Sequence, residues 1–128
     1  MLNLRIVQRS FDDLGTPLAD VTFCVLDIET TGSDRGGDLI TEIGVVKVRH
    51  GQCLGTMATL VNPGKAIAPS VTVLTGITQS MVAKAPRIET VLPTLQEFVG
   101  DSVIVGHNVG FDMGFINAAL IRSDRPAF

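Results

Sequence analysis

The stretch VTFCVLDIETTG, residues 21–32, decides both the fold and the position of the chemistry. Residues 21–28 are rich in β-branched and apolar side chains on both faces and carry one charge, Asp27, a composition typical of a central strand buried on both sides. Residues two apart on a strand project from the same face, so Asp27 and Glu29 converge while Ile28 points the other way. The sequence therefore predicts a pair of carboxylates at the end of a buried strand.

Two carboxylates at an apolar strand end repel each other, and burial raises the cost of their charges. Such a pair makes sense if a cation binds between them or if one group keeps its proton. Hard oxygen ligands of this kind suit Mg²⁺ or Mn²⁺. The alternative is that Asp27 and Glu29 are ordinary strand-end residues facing water, which is what a lone Asp-x-Glu usually means.

The segments after this strand predict an α/β fold with a mixed central sheet. Residues 40–48 and 55–61 are strand-like, and His50-Gly51 supplies a turn, which together predict a three-stranded antiparallel meander. Residues 69–85 carry the signals of short helices in a loop-rich crossover.

A longer helix is predicted next, because apolar residues recur at spacings of three and four. Pro93 interrupts this pattern, so we expect the helix to begin late or to kink. The apolar residues of this stripe are Ile88, Val91, Leu92, Leu95 and Val99.

The segment GHNVGFD, residues 106–112, predicts a second acidic position. A short buried strand, residues 102–108, runs into a last helix from about residue 110 to 122, and this places Asp112 in the first turn of the helix. Ligands of α/β sheets gather at the carboxyl ends of parallel strands, so Asp112 faces Asp27 and Glu29 if the two strands are neighbours. The alternative is a first-turn acid that complements the helix dipole.

Composition limits the class of protein. The chain has 128 residues, 45% of them hydrophobic, and a net charge of −3, which fits one domain of residues 21–128 preceded by an extension or linker, residues 1–20. It shows no secretory signal and no membrane span, so a cytoplasmic protein is expected. Its acidity argues against a protein that coats nucleic acid, but not against an enzyme whose bound metals bring positive charge.

Four segments in this order resemble the DEDD exonucleases of the DEDDh type, specifically the proofreading epsilon subunit of bacterial DNA polymerase III. The segments are DIETTG, ITEIGVVKV, LVNPGKAIAPSVTVLTGIT and VIVGHNVGFDMGFI. The resemblance implies a ribonuclease-H-like fold and stepwise 3′→5′ hydrolysis of nucleic acid, with release of nucleoside 5′-monophosphates. It also implies two divalent cations, Mg²⁺ or Mn²⁺, as cofactors.

The same resemblance assigns roles to individual residues. Asp27 matches the carboxylate that bridges both metals, Glu29 the one on the metal that activates water, and Asp112 the one that serves the other metal. Residues in contact with the nucleotide are implied to be Thr30, Thr31, Gly32, Leu74, Thr75, Gly76 and Ile77. Residues that shape the site are implied to be His107, Asn108 and Phe111.

Conformational roles compete with some of these assignments. Gly32 also permits a turn with positive φ, and Gly76 also suits a helix C-cap. His107 has the side chain of a general base, but we interpret it as a structural, hydrogen-bonded histidine. Glu42 is interpreted as a residue that anchors the second strand, and Asp38 as a loop residue.

The chain departs from the family after Asp112. The family's fourth carboxylate and general-base His lie on a later helix, whereas residues 113–128 contain Asp124 as their only acid and no His. We therefore expect an exonuclease domain that is incomplete before its C-terminal helix and inactive or nearly so.

The expected partners are a DNA 3′ end and a DNA polymerase or fused repair nuclease, without a membrane. The alternatives are an exoribonuclease that trims short RNA and a non-catalytic module that binds a polymerase or DNA.

Overall fold

A computed structural model describes residues 15–128. Residues 1–14, and with them most of the predicted N-terminal extension, lie outside the described residues. Residues 15–20 are all exposed and contain one 3-10 turn, Leu18–Asp20. None of the helices in residues 15–128 has the length and apolar character that crossing a membrane requires.

Within residues 15–128, four strands form one mixed sheet, as the sequence predicts. The strands are β1 (Phe23–Thr30), β2 (Ile40–Arg49), β3 (Gln52–Leu60) and β4 (Val103–Val105), in the order β3-β2-β1-β4. The first three form an antiparallel meander, whereas β4 pairs in parallel with β1. His50 and Gly51 both have positive φ, 52° and 69°, which suits the tight turn between β2 and β3.

In the described part of the chain, four α-helices accompany the sheet: α1 (Pro69–Thr75), α2 (Gln79–Val82), α3 (Ile88–Val99) and α4 (Val109–Arg122). The predicted short helices, the long amphipathic helix and the last helix are thus all present. The expectation that Pro93 makes α3 begin late is wrong, because α3 begins at Ile88 and includes Pro93 as its sixth residue. Pro93 has no N–H to donate to the Glu89 carbonyl four residues earlier. Because Pro93 lies on the exposed side of α3, solvent can bind that carbonyl instead.

The main core lies between one face of the sheet and helices α3 and α4. Burial of a leucine-sized side chain contributes about 1.5–3 kcal/mol relative to exposure, so this layer is the largest source of stability in the described residues. Its fully buried side chains include Leu26, Ile43, Val45, Leu92, Leu95, Ile116 and Leu120.

The opposite face of β1 is open, and this corrects the prediction that β1 is buried on both sides. Side chains alternate along the strand: Leu26 and Ile28 are buried, whereas Val25 is 47% exposed and Asp27 is exposed. The predicted short buried strand is corrected for the same reason, because Val103 of β4 is also exposed. Apolar composition on both faces could not reveal that the described helices cover only one of them, and Asp27 therefore faces solvent.

Candidate active site

The acidic pair lies at the carboxyl end of β1, as the sequence predicts. Ile28 points into the core, so Asp27 and Glu29 project from the other face of the strand. Asp27 is paired across the sheet with Gly44, which has no side chain, and Glu29 is paired with Glu42. Glu29 thus has a second acid directly across from it, and Asp27 is left open to solvent.

The structure brings Asp112 to the same strand. Asp112 is 4% exposed in the first turn of α4, and its Oδ1 accepts a hydrogen bond of 3.0 Å from the Ile28 backbone N–H. Ile28 lies three residues beyond Val25, the last residue of β1 that pairs with β4. The carboxylate of Asp112 therefore takes a strand N–H beyond the end of β4, which a plain dipole-complementing acid would not do.

The three carboxylates act on one another electrostatically. Burial is the main cause that raises the pKa of Glu29, and the charges of Asp27, Glu42 and Asp112 raise it further. Burial also raises the pKa of Asp112, while the Ile28 N–H opposes this rise, the Asp27 charge adds to it and His107 opposes it. Negative charge is thus concentrated at the end of β1, and a cation bound there would reduce the cost of holding it.

The donor set fits a hard divalent cation in its chemistry. Carboxylate oxygens are the ligands that Mg²⁺ and Mn²⁺ prefer, and Asp27, Glu29 and Asp112 supply them at one end of the sheet. Within residues 15–128, no three acidic, His or Cys side chains stand close enough together to form a ready-made metal cage. One oxygen of Asp112 is also committed to the Ile28 N–H. The site therefore fits Mg²⁺ or Mn²⁺ in the type of its ligands and in their location at one end of the sheet.

A cleft of about 380 Å³ opens beside Glu29. Its walls are the end of β1, helix α1 and the first turn of α4. Leu74 stands at this cleft with 85% of its side chain exposed, which is unusual for an apolar residue next to a cavity. The cleft is lined by Ile28, Glu29, Thr30, Gly32, Ser33, Val71, Leu74, Thr75 and Phe111.

Three of the residues implied to contact the nucleotide do not line this cleft. Thr31 is buried and its hydroxyl donates to Asp38. Gly76 forms the left-handed C-cap of α1 with φ 76°, as the alternative interpretation predicts. Ile77 is 3% exposed and packs in a small separate core with Ile67 and Val82. Of LTGI, only Leu74 and Thr75 reach the cleft.

Gly32 is needed for a reason that the sequence did not reveal. It is absent from the residues with positive φ, so the predicted turn conformation is wrong. A Cβ on Gly32 would instead overlap the carboxylate of Asp38, at 2.7 Å from its Cγ. The Asp38 side chain lies directly against the Gly32 backbone, a contact between residues six apart that no local pattern predicts.

The turn before α4 places the remaining predicted residues. Asn108 has φ 50°, a left-handed conformation that Asn tolerates better than most residues, and His107 is exposed beside it. Phe111 lines the cleft, with its ring centroid 5.0 Å from that of Phe115. Sequence analysis missed Gly106, where a Cβ would come within 2.6 Å of the Leu26 carbonyl oxygen. The missing side chain of Gly106 allows this turn to approach β1.

Comparison with known proteins identifies the family of the chain. The Exonuclease (RNase_T) family model matches residues 24–126. A Mycobacterium tuberculosis (strain CDC 1551 / Oshkosh) protein whose name describes a bifunctional exonuclease/endonuclease is 54% identical over 135 residues, covering 91% of this chain. The PolC-type DNA polymerase III of Clostridium perfringens (strain 13 / Type A) is 44% identical over 123 residues, covering 90% of this chain. The chain spans 21% and 8% of the lengths of these two relatives.

Solved structures of exonuclease I share the fold. Apo exonuclease I superposes with a TM-score of 0.76 at 19% identity, covering 85% of this chain and 26% of its own. The metal-free complex of Escherichia coli exonuclease I with single-stranded DNA also gives 0.76, at 18% identity, and covers 85% of this chain and 25% of its own. The predicted ribonuclease-H-like fold is thereby confirmed. Together with the family match and the two relatives, these likenesses show that the chain belongs to the exonuclease family.

Proposed function

We propose that this chain carries the active site of a 3′→5′ exonuclease that removes nucleoside 5′-monophosphates from DNA ends with two divalent cations. The observation that supports this function best is that Asp27, Glu29 and Asp112 all lie at the carboxyl end of β1, where Glu29 lines an open cleft. Two of these side chains are buried enough to have raised pKa values, so their charges call for a cationic partner.

Asp27, Glu29 and Asp112 would hold the divalent cations. Bound there, the cations would supply the positive charge that polarises the scissile phosphodiester and makes water a better nucleophile. Asp27 is open to solvent and accessible to substrate, while Asp112 is fixed to β1 through the Ile28 N–H. The chain's own contribution is thus to hold negative charge in place at the end of one strand.

The cleft would take the terminal nucleotide. Leu74 offers an exposed apolar surface on which a base can lie, and Phe111 forms part of the opposite side of the lining. Thr30 and Gly32 line the cleft next to Glu29, so a nucleotide lying there would be beside the Glu29 carboxylate. In the exonuclease I comparison, the E. coli enzyme was captured with single-stranded DNA, which supports a nucleic acid as occupant.

The context of the domain is inferred from its relatives. One is a PolC-type DNA polymerase III and another is described as a bifunctional exonuclease/endonuclease. We therefore propose that the domain works with a DNA polymerase in proofreading or beside a second nuclease in repair. A domain that acts on DNA in either way would work in the cytoplasm, which is the location that we propose.

In residues 15–128 we assign no side chain as the general base. His107 acts on Asp112 electrostatically, but it is exposed, and we assign it to the shape of the turn. General acid–base catalysis contributes about 10²–10⁴-fold to rate, so we expect this 128-residue chain to cleave slowly. His107→Ala should change that slow rate by less than about threefold, compared with the 10²-fold or larger loss expected for a base.

The test is cleavage of oligonucleotides labelled at the 5′ end, with matched DNA and RNA sequences and Mn²⁺ present. Slow shortening of DNA from its 3′ end, lost in Asp27→Ala and kept in Asp101→Asn, supports the function. Asp101 is an exposed acid two residues before β4, away from the carboxyl end of the sheet, and serves as the matched control. Preferential shortening of RNA would instead indicate an exoribonuclease. Binding of DNA without cleavage, unchanged by Asp27→Ala, would indicate a non-catalytic module.

A further inference from the structure

Asp38 organises the loop between β1 and β2. Its Oδ1 accepts from the Thr31 hydroxyl at 2.8 Å, and its Oδ2 accepts from the Asp34 backbone N–H at 3.0 Å. The Lys65 ammonium lies 3.4 Å from Oδ1. The Asp34 N–H, then the Thr31 hydroxyl, and finally Lys65 lower the pKa of Asp38. The carboxylate is thus an anion whose two oxygens are engaged by donors of the loop and by Lys65.

The backbone that Asp38 contacts follows β1 directly, and Gly32 of this segment lines the cleft. The regular pairing of β1 with β2 is interrupted between Glu29 and Thr30, so the ladder no longer fixes the following residues as regularly. Thr31 continues the connection, because its N–H donates to the Leu39 carbonyl at 2.8 Å and its hydroxyl accepts from the Leu39 N–H at 3.1 Å. Asp38 completes this arrangement by lying against Gly32.

Two basic residues tie the same loop to the rest of the site. Lys65 donates to the Gly37 carbonyl at 2.8 Å as well as facing Asp38. Arg35 donates to the Gly110 carbonyl at 3.1 Å, in the first turn of the helix that carries Asp112. The loop therefore connects one wall of the cleft with the helix on its other side.

We propose that Asp38 is a positioning residue: it holds the backbone of residues 30–32 where the terminal nucleotide lies and so sets nucleotide affinity without binding metal. This role rests on the proposed exonuclease function. It explains why Gly occupies position 32, because any larger residue would push the Asp38 carboxylate out of its place. Asp38 touches Thr31 and Gly32 but does not line the cleft, as a residue acting through its neighbours should.

The test measures two affinities separately by isothermal titration calorimetry on the 128-residue chain: that for Mn²⁺ alone, and that for thymidine 5′-monophosphate with Mn²⁺ present. We expect Asp38→Ala to weaken nucleotide binding about tenfold and to leave Mn²⁺ affinity within about twofold of wild type. Asp38→Asn should lose less, because its amide oxygen still accepts one hydrogen bond. Asp101→Asn, which removes an exposed charge at the other end of the sheet, should bind both probes like wild type.

A double-mutant cycle with Gly32→Ala separates positioning from general damage. Gly32→Ala should weaken nucleotide binding about as much as Asp38→Ala, because the added methyl group displaces the carboxylate. The double variant should bind no more weakly than Asp38→Ala alone, since removal of the carboxylate makes room for the methyl group. Two independent structural defects would instead give losses that add.

The results of these binding experiments separate the positioning role of Asp38 from the exonuclease function. Nucleotide binding unchanged in Asp38→Ala and Asp38→Asn, equal loss of Mn²⁺ and nucleotide affinity, or additive losses in the cycle would each overturn the positioning role while leaving the exonuclease function standing. A wild-type chain that binds neither probe would overturn both. If circular dichroism shows that Asp38→Ala does not fold, Asp38→Asn and Gly32→Ala carry the comparison.

Discussion

Replacing Asp112 by Ala and by Asn separates its two roles. Asp112 is 4% exposed and accepts the Ile28 N–H at 3.0 Å. Ala removes the acceptor and leaves a buried N–H unsatisfied, which costs about 1–3 kcal/mol, whereas the amide oxygen of Asn can still accept that bond. We therefore expect Asp112→Ala to be less stable than Asp112→Asn by about 1–3 kcal/mol.

Compared with wild type, Asp112→Asn should gain stability when no metal is present. Burial raises the pKa of Asp112, so the folded chain carries its charge at neutral pH at a cost that the neutral amide does not have. The sign follows from linkage: a folded-state pKa above the unfolded value means that stability falls as pH rises through this range. The advantage of Asp112→Asn should be largest at pH 7 and should shrink as pH falls towards the ordinary Asp pKa of 3.8.

The assay is urea unfolding in EDTA, followed by far-UV circular dichroism, at pH 7 and at pH 4.5 for all three proteins. If the same proteins are unfolded by heat, the expected difference in free energy between the Ala and Asn variants corresponds to roughly 4–12 °C in melting temperature for a domain of this size. Equal stability of the two variants would show that the bond to Ile28 contributes nothing. An Asn variant less stable than wild type at pH 7 would show that burial of this carboxylate is not costly.

Three further changes test other parts of the structure. Glu29→Gln should also stabilise the metal-free chain at neutral pH and lose this advantage on acidification, measured in the same unfolding experiment, because burial and three acids raise the pKa of Glu29. Leu74→Ser should leave the melting temperature within about 2 °C, since its side chain is exposed. The same change should weaken thymidine 5′-monophosphate binding severalfold in calorimetry, and a large loss of stability without a loss of affinity would contradict the cleft assignment. Gly106→Ala should destabilise the chain by about 1–3 kcal/mol in urea unfolding, because its Cβ meets the Leu26 carbonyl, and a neutral result would contradict that close approach.

Local patterns predicted the parts of this fold that depend on local chemistry. Period-two alternation placed Asp27 and Glu29 on one face, the spacing of apolar residues identified the buried stripe of α3, and the bounds predicted for α4 were within one residue. His50-Gly51 was predicted as a turn, and both residues have positive φ in the structure. These predictions succeed because neighbouring residues alone determine the outcome.

The predictions that failed depend on parts of the chain that are distant in sequence or space. The apolar residues of β1 could not show that its Val25 face is open in residues 15–128. Gly32 was interpreted from its own backbone freedom, whereas the contact that requires it is with Asp38 in the following loop. The hydrogen bond from the Ile28 N–H to Asp112 joins residues 84 positions apart. Local patterns could not predict it, because it depends on β4 lying next to β1 in the sheet.

Binding of Mn²⁺ to the 128-residue chain tests the central claim most directly. We expect the melting temperature of wild type and of Asp101→Asn to rise with Mn²⁺ concentration, with a stabilisation of about 2.7 kcal/mol when free Mn²⁺ is 100 times its Kd. Asp27→Ala should show no such rise, because it lacks a carboxylate at the end of β1. A wild-type melting temperature that does not respond to Mn²⁺, or an equal rise in Asp27→Ala, would contradict a metal-dependent active site at Asp27, Glu29 and Asp112.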